Sequence, residues 1–281
     1  MDYIFHLLIL CAIYAVLATS ANLNLRWTGL FNVAIATFFG IGAYTAALVP
    51  SGNSFSDVVG TMILCGMSAL LVSFGISFTL RVLRGDYFAL ATLAFGVVFV
   101  SLLRNSVRGI SGIERPAVFA FEMLSYDSFP YFVLAVSAGL IWIVHRVTHS
   151  ALGFALLAQS RNPAPLETMG YNVFALRVLS LALSAFCAGV AGCLYAWHIG
   201  VVAPNGFTIG QSFTIISMAV IGGSAAVWGA PVGALIILMV PELIGWLNPG
   251  GINVQIASEI LAASAIVGII LLRRLSENTD S

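Results

Sequence analysis

The chain has 281 residues, 60% of them hydrophobic and 8% charged, with no net charge and a mean hydropathy of +1.04. A soluble domain carries about a quarter charged residues, so the composition excludes a soluble globule, and the neutral balance shows no signature of nucleic-acid binding. The basic residues are eleven Arg and no Lys, which excludes the lysine-bearing phosphate loop G-x-x-x-x-G-K-[ST] and leaves any ATP chemistry to a partner.

Nine apolar runs follow in chain order, near 4–20, 29–49, 57–80, 87–103, 130–147, 176–198, 209–227, 230–247 and 253–272. Several approach or exceed the ~20 residues that cross a bilayer. Lipid cannot satisfy backbone polar groups, so spans are helices or closed barrels. These runs are too long and too evenly apolar for alternating barrel strands. The predicted fold is all-α, a polytopic transmembrane bundle of eight or nine helices in which 29–49 or 209–227 can be broken or re-entrant. Residues 1–281 form one membrane domain.

The first run follows Met1-Asp2 without a basic flank, so it reads as a retained span rather than a cleaved signal. The second holds AIATFFG at 34–40, echoed by ALATLAFG at 89–96 in the fourth. Paired interrupted helices can mark a transport site, but chance similarity of two Ala-rich spans is the simpler account. Asp86 opens the fourth run and complements a helix dipole. With nine spans, Arg26, Arg81, Arg84, Arg146, Arg161, Arg177, Arg273 and Arg274 fall on one side and Arg104, Arg108 and Arg115 on the other. The positive-inside rule makes the first side cytoplasmic. The outer loop 104–129 also carries Glu114, Glu122 and Asp127.

His145 and His149 stand four apart, as two metal ligands on one helix face would. They lack the Glu of H-E-x-x-H and flank Arg146, so an interfacial anchor fits better. No nucleophile elbow occurs, and the residues nominate no catalytic, cofactor or metal site. Cys11, Cys65, Cys187 and Cys193 lie inside apolar runs and read as small buried hydrophobes. Glu242 follows Pro241 near an outer end. Glu259 is the best carboxylate for an ion-coupled secondary transporter, although it lies near the outer edge. Glycines recur at Gly40 and Gly42, Gly189 and Gly192, Gly222 and Gly223, and Gly229 and Gly233; close helix packing explains them first, a flexible path-lining helix second.

The cytoplasmic loop, about 148–175, contains QSRNPAPLETMGYN at 159–172. Pro163 and Pro165 cannot both continue a regular helix. Leu166 to Gly170 can then form one or two turns ending at a glycine cap, and Asn172 can cap the next span. This is longer and more structured than a connector needs, and it predicts a docking surface for a cytoplasmic partner.

Taken together, these pieces resemble a known family. Gly29-Leu30-Phe31-Asn32 with Phe38-Phe39-Gly40-Ile41-Gly42-Ala43-Tyr44, and the stretch from Leu83-Arg84-Gly85-Asp86 through Gly96, are similar to two signatures of LivM-like permease subunits of branched-chain amino acid ABC importers. Gly109 to Ile113, Met169 to Val173, Ala203 to Thr208 and Gly222 to Ala234 complete the order over nearly the whole chain. The resemblance implies a bacterial inner-membrane subunit in contact with lipid. It implies a second permease in a heterodimer, two ABC ATPase subunits and a periplasmic or extracellular solute-binding protein. It makes Arg161, Glu167 and Gly170 ATPase-coupling residues of a segment at about 148–175. Asn32, Thr37 and Thr92 are the expected path residues. Members commonly carry Glu at the position of Val97 and His or Gln at that of Ile35. Urea, short amides and aromatic acids, handled by related systems, therefore stand beside branched-chain amino acids as solutes.

Overall fold

The computed structural model describes residues 2–49, 54–81, 86–106, 110–111, 128–223 and 228–247. Its helices are α1 (Asp2–Asn22), α2 (Ile35–Leu48), α3 (Phe55–Ser77), α4 (Asp86–Ser106), α5 (Phe129–Thr148), α6 (Ala151–Arg161), α7 (Ala164–Thr168), α8 (Val173–Ile199), α9 (Ile209–Ile221) and α10 (Gly229–Leu247). Among the described residues the only strands are β1 (Ile110–Ser111) and β2 (Val201–Val202), antiparallel, with Ile110 opposite Val202. The all-α expectation stands. Leu83 to Gly85, most of the 104–129 loop and the run at 253–272, with Glu259, Arg273 and Arg274, lie outside the described residues.

α1 with the π turn that extends it (Leu23–Trp27), α3, α4, α5 and α8 are long and apolar enough to cross a membrane. α2 and α9 are not: they hold 14 and 13 residues, about 20 Å of helix against a hydrocarbon core of about 30 Å. The runs at 29–49 and 209–227 are thus each represented by a short helix. Ala36 N–H donates to Ser212 Oγ at 3.2 Å, and Gln211 bonds Tyr14 midway along α1 at 2.6 Å. Tyr44 meets Phe207, just before α9, with ring centroids 5.9 Å apart. The two short helices therefore run antiparallel, with their N-termini side by side at mid-height of the bundle.

α8 is the central post. Gly42 and Gly192 bring α2 onto it so closely that a Cβ on either would overlap backbone of the other helix. A Cβ on Gly189 would sit 2.6 Å from the Cys65 carbonyl oxygen of α3. Gly222, Gly229 and Gly233 close the α9–α10 hairpin in the same way. These glycines act as packing surfaces, the first of the two expected roles. The four cysteines are buried within the helices.

The bundle has two distinct ends. Phe129 at the start of α5 stacks on His198 near the end of α8, which meets His6 of α1 at 2.7 Å. Arg104 at the end of α4 donates to Asn205 Oδ1 at 3.1 Å. At the other end, the C-terminus of α5 leads through α6 and α7 into α8, and α6 packs on the π turn. His149 Nδ1 lies 2.9 Å from the His145 carbonyl oxygen of its own helix. Arg146 lies over the Trp142 ring and Trp228 beside His145, a grouping of aromatic and basic side chains that suits a membrane interface.

Candidate functional site

Two places gather the residues singled out in the sequence. The first is the α6–α7 unit. Asn162 is extended (φ −152°, ψ 114°), as a residue before proline must be, and this ends α6. Its Oδ1 accepts from Ala164 N–H at 3.1 Å, which starts α7. Pro163 stands at the cap and Pro165 in the first turn, where a helix needs no N–H from them. The prolines therefore set where α7 begins. Gly170 (φ +83°) ends it: its N–H donates to Glu167 O at 3.1 Å, and Tyr171 N–H reaches back to Leu166 O at 3.0 Å. That pair of bonds is a Schellman cap. Asn172 Oδ1 then accepts from Ala175 N–H at 3.1 Å and caps α8, as the sequence predicted.

Leu166 pins α7 inward, whereas Glu167, Met169 and Tyr171 are exposed. Between α6 and α7 lies a groove of about 430 Å³ lined by Phe154, Leu157, Arg161, Pro165 and Met169, among others. Phe154 is 66% and Met169 74% exposed. Arg161, Glu167 and Gly170 thus belong to one small structural unit. The sequence located α7 but missed α6, an 11-residue helix inside the expected loop.

The second place is the break before α2. Gly29 (φ +67°) lies against Ser160 of α6. Leu30 N–H bonds Asn24 O, and the chain then turns up into the bundle. Asn32 Oδ1 accepts from Ala34 N–H at 2.9 Å, and Thr92 Oγ1 of α4 accepts from Val33 N–H at 3.2 Å. Thr37 Oγ1 lies by Gly96. Asn32, Thr37 and Thr92 are therefore brought together, and all are buried. The echoed segments 34–40 and 89–96 are the two strips that touch here.

A family described as "Branched-chain amino acid transport system / permease component" matches residues 3–273. The chain belongs to that family. It is 28% identical over 270 residues, 85% of this chain, to the high-affinity branched-chain amino acid transport system permease protein LivM of Escherichia coli (strain K12). It spans 63% of that relative's length. It is 24% identical over 235 residues to a probable LivM of Methanocaldococcus jannaschii, covering 77% of this chain and 68% of that one. It is also 28% identical over 167 residues to a tyrosine transport system permease protein of Clostridioides difficile, covering 57% and 54%. No solved structure matches.

The permease carries buried polar contacts that sequence reasoning passed over. Asn24 Nδ2 donates to Ser184 Oγ at 2.9 Å and its Oδ1 accepts from Ser180 Oγ at 3.3 Å, tying the π turn to α8. Gln159, on the inward face of α6, is 2% exposed, and neither carboxamide atom is bonded among the described residues. Single polar residues in apolar runs were the available signal, but a Ser or Asn looks alike whether it faces a partner helix or a headgroup.

Proposed function

We propose that this permease is a transport subunit of an ATP-driven importer in the bacterial inner membrane, forming half of a path for branched-chain or related amino acids. The α6–α7 unit carries the reading. It is a capped helix with an apolar groove, held between two spans at the arginine-rich end, which is the form a docking site for a cytoplasmic motor takes. Arg161, Glu167 and Gly170 are its coupling residues. Two ATPase subunits dock there, a second permease completes the path, and a solute-binding protein delivers from the opposite face.

Geometry supplies a route for the push. α6 packs on the π turn and Ser160 meets Gly29, three residues before Asn32. A rigid-body displacement of α6 thus reaches the break where Asn32, Thr37 and Thr92 gather. These three are path residues, and ATP binding and hydrolysis rock the two permeases between inward- and outward-open states. The tyrosine permease among the relatives supports aromatic amino acids beside the branched-chain ones.

The test is reconstitution of this chain with its second permease, ATPase pair and binding protein in liposomes. Uptake is expected only with ATP on the cytoplasmic face. Uptake by this chain alone, without nucleotide, refutes the reading. Glu167→Arg is expected to leave membrane insertion intact and cut solute-stimulated ATP hydrolysis and uptake together by tenfold or more; normal coupling in that variant removes Glu167 from the contact.

A further inference from the structure

The break before α2 leaves a buried amide unanswered in the middle of the bundle. Asn32 is 5% exposed, and its Oδ1 is held by Ala34 N–H. That bond identifies which end of the carboxamide is oxygen and directs Nδ2 away, where it meets no acceptor among the described residues. An unpaired buried donor is costly, and hydrocarbon offers no water to relieve it. The bond closes a two-residue turn that uses only the carboxamide oxygen and leaves the two-proton donor without a structural task.

The surroundings say what an acceptor should look like. The N-termini of α2 and α9 meet at this level through Ala36 N–H and Ser212 Oγ. Each carries the positive end of a helix dipole, and facing N-termini of interrupted helices suit an anionic group. The described carboxyl-bearing residues lie elsewhere: Asp2, Asp57 and Asp86 begin helices, Glu167 is on α7, and Glu242 is bonded by Tyr3 at the first turn of α1. Among the described residues, then, the chain offers donors and positive dipole ends at mid-membrane and no anion to match them.

We propose that Asn32 Nδ2, beside the paired N-termini of α2 and α9, is a transit site for the carboxylate of a zwitterionic amino acid. This rests on the importer reading and sharpens it: a solute without a carboxylate, such as urea or a short amide, offers the site only a neutral carbonyl oxygen and forgoes the charge that the helix dipoles favour. The site is closed in this conformation. Displacement of the break by α6 brings Nδ2 to the path, and the solute carboxylate accepts its hydrogen bonds in passing.

The complete reconstituted importer, assayed with radiolabelled leucine, valine and tyrosine, tests this. Asn32→Asp keeps the oxygen that caps Ala34 and replaces the donor with an acceptor. Uptake is expected to fall at least tenfold while ATP hydrolysed per solute imported rises by a similar factor. Asn32→Ser keeps a cap and a hydroxyl donor, and is expected to retain more uptake than Asn32→Asp. Wild-type uptake by Asn32→Asp overturns the proposal. So does a parallel loss of uptake and hydrolysis at an unchanged ratio, because that is the mark of a structural cap. Failure of the unaltered complex to import any of the three with ATP overturns the importer reading, and the transit site with it.

Discussion

At Gly189 the α8 backbone runs against α3 with no room for a methyl group: an added Cβ would lie 2.6 Å from Cys65 O and 2.7 Å from Ala69 Cβ. In lipid, where apolar burial gives no drive for helices to associate, such close backbone approach supplies much of the contact. Gly189→Ala must therefore separate α3 from α8, at a cost of about 1–3 kcal/mol for overpacking. Gly75, also in α3, meets nothing within 4 Å. There the same substitution gains about 1 kcal/mol of helix propensity. Melting of the two variants in detergent should move in opposite directions. Equal shifts would mean the α3–α8 seam is looser than the structure has it. Composition had already identified glycines of this kind as packing surfaces. It could not pair Gly189 with Cys65, because small-residue spacing says that a helix approaches closely but not which helix comes.

At the level of elements, α7 is the part where sequence and structure agree in detail, and the reason is local. Proline, glycine and Asn act on their own neighbours, so Asn162, Pro163, Pro165, Gly170 and Asn172 specify a start, a stop and a restart with no tertiary information. Gly170→Ala forces an L side chain into left-handed backbone at a cost of about 1–2 kcal/mol. Because Tyr171 N–H depends on this turn for its bond to Leu166 O, its amide exchange should rise about tenfold. Exchange in the middle of α8 should not change. Protection that is unaltered at Tyr171 would show that packing, not the Schellman cap, holds α7. The short helices α2 and α9 were less legible. Thr28, Gly29 and Asn32 interrupt one apolar run and Pro204, Asn205 and Gly206 precede the other, yet hydropathy alone continues across both breaks. The lengths of α2 and α9 and the facing contact of Ala36 with Ser212 show what hydropathy hides. α6 escaped for the opposite reason: it is too short to span, and its buried Gly153, Ala155, Leu156 and Gln159 form a weak stripe in a stretch that length alone assigned to a loop.

Over the whole molecule, the arginines and the fold point to one orientation, and that can be read directly. Arg26, Arg146, Arg161 and Arg177 gather at the end formed by the π turn, α6 and α7, while Arg104 marks the end where α8 turns into β2. The positive-inside rule predicts that the first end is cytoplasmic, the side that the proposed nucleotide-driven partner requires. The four native cysteines are no more than 5% exposed, so introduced thiols can be labelled over a low background. Thr168 on α7 and Ala203 after β2 are both exposed and stand at opposite ends. In sealed right-side-out vesicles, a membrane-impermeant maleimide should modify Ala203→Cys and leave Thr168→Cys untouched until the vesicles are opened. The reverse pattern would put the α6–α7 groove outside the cell, beyond reach of any ATPase. It would remove the docking role proposed for Glu167 while leaving the packing of the bundle unaffected. Orientation is thus the property on which the importer reading depends most, and it rests on charge at the helix ends rather than on anything inside the core.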